Sequence, residues 1–200
     1  MAGTQLPDDV LAGVAASNRV PKLLLHCCCA PCASYVLEYL SPFFGITAFF
    51  YNPNIMPPEE YCKRAEEIQK LLSQAAYPNS VDAIVCEYDA GAFNAAAAPF
   101  LDEPEGGRRC RACFELRLKK TAARAKAEGY DYFATTLSVS PHKNAALLAE
   151  IVGRLATEYG IRCISSDFKK RDGYRRSVEL SKKYGLYRQN YCGCKLVASG

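Results

Sequence analysis

The chain lacks an apolar run long enough to cross a bilayer, and it lacks a basic, then hydrophobic, leader. Its opening "MAGTQLPDDVLAGVAASNRV" carries Asp8 and Asp9 instead. The expectation is a cytoplasmic protein with no membrane association. No internal repeat occurs, and low complexity is confined to the alanines at 95–98, which argues against a solenoid or a long linker. A strong overall charge is absent too, since the formal net charge is only +4. An even set of cysteines is also missing: there are eleven, an odd number, and thiols stay reduced in a cytosol, so a disulfide framework fits badly. Metal binding or redox chemistry is the leading use for them.

Two hundred residues at 50% hydrophobic content suffice for one sizeable core and are too few for two comfortable α/β domains. One domain over residues 21–200 is expected, preceded by a motif-free extension, residues 1–20. The modest charge is unevenly spread. Residues 169–195 hold nine Lys/Arg against Asp172 and Glu179, a local +7 that leaves −3 for the rest of the chain.

Apolar runs of strand length alternate with helical patterns. "KLLLH" at 22–26, "ITAFFYN" at 46–52, "AIVCEYD" at 83–89, "YDYFATT" at 130–136 and "IRCIS" at 161–165 read as strands. Pro31 suits the first turn of a helix continued by Val36, Leu37 and Leu40. Helices are also predicted over 58–72, with acids in the first turn, over 111–129 and over 144–160, the last two ending in a glycine suited to a C-cap. Strand and helix in this rhythm give an α/β, Rossmann-like, mostly parallel sheet with helices on both faces, plus a small cysteine-containing C-terminal segment. Such sheets gather their sites at the carboxyl ends of the strands.

"HCCCAPC", His26 to Cys32, lies at one of those ends, where the amides of a helix N-terminus favour thiolate over thiol. A second cluster, "RRCRACFELR", sets Cys110 and Cys113 in CxxC spacing, with Arg108, Arg109 and Arg111 placed to offset thiolate charge. Cys28, Cys29, Cys110 and Cys113 together supply four thiolates, a set that suits an iron–sulfur cluster or a structural zinc. Cys32 lies one helical turn beyond Cys28 and can complete a second metal site with it. In the third cluster, "YCGC", Gly193 lets Cys192 and Cys194 approach closely enough for a readily reduced disulfide. Two incidental thiols would look the same. Cys27, Cys62, Cys86 and Cys163 read as packing residues, Cys86 inside an apolar strand.

The polar candidates are fewer. "TTLSVSPHKN" follows a strand, so Ser138, Ser140 and backbone amides can hold a phosphate with Lys143 adding charge, although an ordinary cap and turn also accounts for the stretch. His142 is a candidate proton donor or a solvated histidine, and His26 a hydrogen-bonded core histidine. Asp89 ends a strand as either an acid or a helix cap. The basic segment, with Tyr174, Tyr184, Tyr187 and Tyr191 interleaved, has the composition for phosphate contacts and base stacking, and equally that of a solvated helix face.

Taken in order, "HCCCAPC", "FFYNPNI", "EPEGGRRCRACFELRL", "DYFATTLSVSPHKN", "DFKKRDGYRRS" and "LYRQNYCGC" resemble the QueH family of epoxyqueuosine reductases from about Lys22 to Lys195. The resemblance implies an adenine-nucleotide alpha-hydrolase-like fold and reduction of epoxyqueuosine to queuosine at the wobble position of tRNA. It implies a [4Fe–4S] cluster on Cys28, Cys29, Cys110 and Cys113, a redox-active pair at Cys192 and Cys194, and an electron donor that the sequence does not identify. A second assignment within the same resemblance adds one iron ion. It gives Cys29, Cys110 and Cys113 to the cluster and leaves Cys28, Cys32, Cys192 and Cys194 beside the extra iron. Ser140, His142, Lys143, Arg175 and Arg176 are the substrate-binding candidates. A zinc-stabilised RNA-binding module without catalysis is the rival from another class, and a thiol–disulfide oxidoreductase acting on proteins is the third. The departures from the family pattern are the extra Cys27 and the N-terminal extension.

Overall fold

The computed structural model describes residues 6–170 and 172–194. Twelve helices and strands follow in chain order: α1 (Asp8–Ala15), β1 (Lys22–His26), α2 (Ala30–Leu40), β2 (Gly45–Phe50), α3 (Pro58–Gln74), β3 (Val81–Val85), α4 (Ala90–Ala97), α5 (Arg108–Ala127), β4 (Tyr132–Thr135), α6 (Ala145–Tyr159), β5 (Arg162–Cys163) and α7 (Gly173–Lys183). The five strands form one wholly parallel sheet in the order β3-β2-β1-β4-β5. The order reverses beside β1, which pairs with β2 on one side and β4 on the other, so the crevice at its carboxyl end lies at the switch point of the sheet.

Alternation along β1 builds the two layers. Leu23 and Leu25 face a core shared with Val36 and Leu37 of α2 and Ile68 and Leu71 of α3, whereas Leu24 faces Phe114 and Leu118 of α5 and Ile151 of α6. All three leucines are fully buried, which is worth about 1.5–3 kcal/mol each relative to exposure. The predicted Pro31 start of α2 is present, Asn144 caps α6 by accepting from the Leu147 amide at 3.1 Å, and Gly160 ends α6 at φ +58°.

Several boundaries differ from expectation. β2 stops at Phe50, freeing Tyr51 and Asn52 to turn towards the crevice, and α5 begins three residues early, so that Cys110 belongs to its first turn. β3 ends at Val85. Cys86 therefore lies beyond this half-exposed edge strand, not inside an apolar one, although its amide still bonds Phe50 O at 3.1 Å. Helices α1, α4 and α7 are additional to those predicted. Within the 1–20 extension, Leu6 and Val10 enter the main core, and Arg19 holds Asp131 through two 2.8 Å hydrogen bonds. Arg171 and Lys195 of the basic segment lie outside the described residues, as do the ends of both expected domain ranges.

Helix α7 packs closely on α2 at Gly173, where an added Cβ would strike the Phe168 carbonyl oxygen and come within 2.5 Å of the Tyr35 ring. Gly153, inside α6, has open space around it. Gly173→Ala should therefore cost about 2 kcal/mol, a fall of roughly 4–8 °C in Tm. Gly153→Ala should raise stability by about 0.5–1 kcal/mol. Thermal unfolding of the two variants beside wild type checks the opposite signs.

Candidate metal and thiol centre

The first arm of the site is the end of β1. Cys27 points to the α2 side, fully buried, donating its thiol to Leu25 O at 3.3 Å, and burial pushes that thiol up. It is a packing residue. Cys28 and Cys29 emerge on the other face, with sulfurs 3.8 Å apart, and Cys32 in the first turn of α2 brings its sulfur to within 4.8 Å of both. Thr136, at the end of β4, steadies Cys28: its hydroxyl accepts from the Cys28 amide at 3.2 Å and lies 3.5 Å from the sulfur. Hydrogen bonds from the Cys29 and Cys32 thiols, with Lys143 nearby, hold Cys28 well below the usual thiol range. Cys29, as donor to Cys28, is pushed up to about 11. The first proton to leave this trio therefore leaves from Cys28.

The second arm is the start of α5. Cys113 is buried, and desolvation raises its thiol against the pull of Arg117. Cys110 accepts from the Gly106 amide at 3.2 Å and packs in the cluster that contains Cys28 and Cys29. The arginines expected to offset thiolate charge are engaged elsewhere. Arg108 pairs with Glu103 at 2.6 Å, Arg111 with Glu115 and Glu150, and Arg109 donates to Leu101 O. The cations that act on the thiols are Arg117 and Lys143. Lys143 is half-buried, and its ammonium is held up by Cys28, Cys32 and Cys192, which outweigh its desolvation.

The third arm is the C-terminal "CGC". Cys194 donates to Cys192 with 3.4 Å between sulfurs, and neither is in a disulfide. Gly193 is pressed onto the loop after β2: a Cβ there would lie 3.0 Å from Ile55 Cα, and Met56 N donates to Gly193 O at 3.0 Å. The glycine expected to let the two thiols approach one another is also required here, unforeseen, by its contact with Ile55. Upstream, Tyr187 N donates to Glu67 at 2.7 Å, Lys63 covers the Tyr187 ring at 3.6 Å, and the buried Arg64, paired to Glu60 at 2.6 Å, lies beside the Tyr191 ring. Cys113 and Cys194 share a small core with Phe93 and Ala97, with Cys192 and Met56 against it. Among the described residues, the only set of three or more sulfurs within 4.8 Å of one another is Cys28, Cys29 and Cys32; Cys110 packs in their cluster, and Cys113, Cys192 and Cys194 lie in the small core reached through α5.

The remaining candidates divide. His26 is a core histidine between Thr135 Oγ1 at 3.0 Å and Tyr51 O at 3.2 Å, and burial with Arg117 nearby drops it to about 3, so it is neutral. Asp89 caps α4 through the Ala92 amide. Ser138 is consumed by structure: it donates to Ser166 O at 2.7 Å and accepts from the Phe168 amide. Ser140 accepts only from the His142 amide at 3.4 Å, and His142 is exposed. Arg175 pairs with Glu179, and Arg176 with both Glu38 and Glu179, so neither charge is free. Cys62 is exposed and Cys163 half-buried. Tyr174 and Tyr191 are exposed, whereas Tyr184 packs on the core. A cavity of about 300 Å³ opens at the ends of β4 and β5, with Thr135, Ser138, Ser166, Asp167 and Lys170 in its wall. Sequence reasoning gave no role to Asn52, Arg117 or Thr136. The available signals were Arg117 one helical turn after Cys113 and a polar "YN" closing an apolar run.

Hydrogen bonding from Cys194, assisted by Lys143 and Arg117 against burial, lowers Cys192 to about 5, while Cys194 is raised by the same bond. In metal-free protein Cys192 is then thiolate at neutral pH and Cys194 is not. Iodoacetamide labelling read by peptide mass spectrometry should modify Cys192 before Cys194 at pH 7, with a rate that changes little from pH 6 to 8. Lys143→Ala should move the rise of that rate to higher pH.

The family model described as Epoxyqueuosine reductase QueH matches residues 23–199, a span containing all three arms. Among relatives, Epoxyqueuosine reductase QueH of Streptococcus pyogenes serotype M1 is 44% identical over 180 residues, covering 89% of this chain and 71% of that protein. The protein of that name from Thermotoga maritima is 36% identical over 178 residues, covering 86% and 88%. That from Dehalococcoides mccartyi is 37% identical over 175 residues, covering 87% and 91%. With most of its length matched and the cysteine arms inside the match, the chain belongs to the QueH family of epoxyqueuosine reductases.

Proposed function

We propose that this oxidoreductase reduces epoxyqueuosine to queuosine at the wobble position of tRNA, in the cytoplasm, with its thiol centre holding a [4Fe–4S] cluster. The observation that carries the reading is the gathering of Cys28, Cys29 and Cys32 at the end of β1, with Cys110 of α5 packed in the same cluster and Cys113, one turn further along α5, in a small core with Cys192 and Cys194. The donor set fits such a group: it is all thiol, largely buried, and faced by the cations Arg117 and Lys143, which suit a thiolate-bound and therefore anionic centre. Cys28, Cys29, Cys110 and Cys113 would hold the cluster, leaving Cys192 and Cys194 as the redox pair. One observation favours the alternative with an added iron ion: Cys32 gathers with Cys28 and Cys29 instead of standing apart. There Cys29, Cys110 and Cys113 serve the cluster, and Cys28, Cys32, Cys192 and Cys194 surround the extra iron. When bound, such a centre supplies electrons singly, and an open iron position polarises an epoxide oxygen.

The chain's own thiols balance the electrons of the reaction. Opening the epoxide and losing its oxygen as water to leave an alkene consumes two electrons and two protons; the Cys192 thiolate and Cys194 thiol yield both electrons and one proton as they close to a disulfide, and the second proton comes from solvent. An external reductant then returns the pair to thiols. Cys194 keeps its proton by donating to Cys192, so one thiol holds a proton beside a thiolate nucleophile. Phe93 and Met56 pack over this pair and restrict water. The tRNA is gripped on the same end. Lys143 and Lys170 would supply charge and exposed Tyr174 and Tyr191 stacking faces, with Ser140 and His142 as further candidates and Arg175 and Arg176 available only on release from Glu38 and Glu179. Among the described residues no helix is long and apolar enough to cross a membrane.

Anaerobic purification tests the cofactor. The protein should be brown, absorb broadly near roughly 400 nm and contain iron and sulfide. Cys110→Ser and Cys113→Ser should each impair cluster assembly. Colourless protein with stoichiometric zinc and no iron would favour the RNA-binding module. Cys194→Ser should retain iron and sulfide yet stop multiple turnover of epoxyqueuosine-containing tRNA, because a single thiol cannot close the disulfide. Loss of one iron from that variant with the cluster intact would identify the added-iron assignment.

A further inference from the structure

Arg117 poses an electrostatic problem that no carboxylate among the described residues solves. Its side chain is almost wholly buried, 3% exposed, in the middle of α5. Guanidinium does not shed its proton in a protein, so the charge is permanent. Among the described residues it forms no ion pair, in contrast to Arg64, the other buried arginine, which is matched by Glu60. Phe114 lies 5.6 Å from its carbon, a weak compensation. An unmatched buried charge costs several kcal/mol, so an anion is needed beside it.

Its hydrogen bonds indicate where that anion belongs. Nε donates to Cys113 O at 3.1 Å and Nη1 to Asn52 Oδ1 at 3.3 Å, while Asn52 Nδ2 donates to Cys27 O at 2.9 Å. The chain Cys113–Arg117–Asn52–Cys27 therefore ties the carbonyl of one cysteine arm to that of another through side chains that are both buried.

We propose that Arg117 is a positioning residue whose buried charge is the counter-ion of the thiolate-bound metal centre, and whose forked hydrogen bonds, relayed by Asn52, set the spacing between the α5 and β1 cysteine arms. This rests on the reading that the thiols hold a metal group, and the test separates the two. A lysine cannot reproduce the role, because a single ammonium on a flexible stem does not fork between a carbonyl and an amide in fixed geometry.

The test uses full-length wild type, Arg117→Met and Arg117→Lys, each metal-free and anaerobically reconstituted. Thermal unfolding, iron and sulfide content, retention against a chelator and midpoint potential are read on all three. Arg117→Met should leave the metal-free protein as stable as wild type or more so, since a stranded charge is gone, yet shrink the rise in Tm on reconstitution. It should retain metal about 10- to 100-fold less tightly. Its potential should move negative, because removing a positive charge disfavours the added electron. Arg117→Lys should keep a potential near wild type with weaker retention. Equal destabilisation of Arg117→Met with and without metal, at an unchanged potential, would overturn the proposal by making Arg117 an ordinary structural residue. So would a lysine variant whose potential shifts as far as that of methionine. If wild type takes up zinc and no iron, the iron–sulfur reading fails by itself, and the unfolding and retention comparison on zinc-loaded protein still decides the role of Arg117.

Discussion

The constraint on which the structure depends is the position of β1. Its ladders to β2 and β4 pin both edges, and three fully buried leucines pin both faces, so the chain has no freedom of register when it leaves the sheet at His26. Period-two alternation then sends Cys27 to the α2 side as packing and Cys28 to the crevice, where Cys29 joins it because the chain has by then turned into the N-terminus of α2. A slip of one residue would exchange these roles. Neutral His26, held between β4 and the segment after β2, closes the end of the strand without adding charge.

Around that anchor the other two arms arrive by quite different means. The α5 arm is held by packing of Phe114 and Leu118 on the sheet and by the Arg117–Asn52 relay. The C-terminal arm has no regular structure at its cysteines; it is docked by Gly193 against Ile55 and by contacts of Tyr187 and Tyr191 with α3. Thiols carried on such a segment can change partners with little disturbance of the core, because few buried apolar contacts must open.

Electrostatics gives the site its direction. Many thiols confined in low dielectric cannot all ionise, and the structure resolves this by graded hydrogen bonding: Cys28 and Cys192 accept, whereas Cys29 and Cys194 donate. Lys143 and Arg117 favour the acceptors' charge. The surface arginines beside Cys110, which read in sequence as the compensating charges, are spent on nearby carboxylates and a carbonyl because those partners lie within reach in water-exposed loops and helix faces.

Local pattern was enough for much of this. The five strands, the helix after Pro31 and the CxxC at the head of α5 all follow from short-range periodicity and capping, which a sequence states directly. It also stated the family, through six blocks in order. The edge position of Cys86, the core role of the N-terminal helix α1, the gathering of Cys32 with Cys28 and Cys29, and the service of Asn52, Thr136, Lys143 and Arg117 to the thiols were decided only by tertiary structure. Each of these depends on which distant segment meets which. Arg117 and Asn52 are 65 positions apart, and Thr136 and Cys28 are 108 apart. No local periodicity encodes such a meeting; the folded sheet creates it by bringing the carboxyl ends of its strands together.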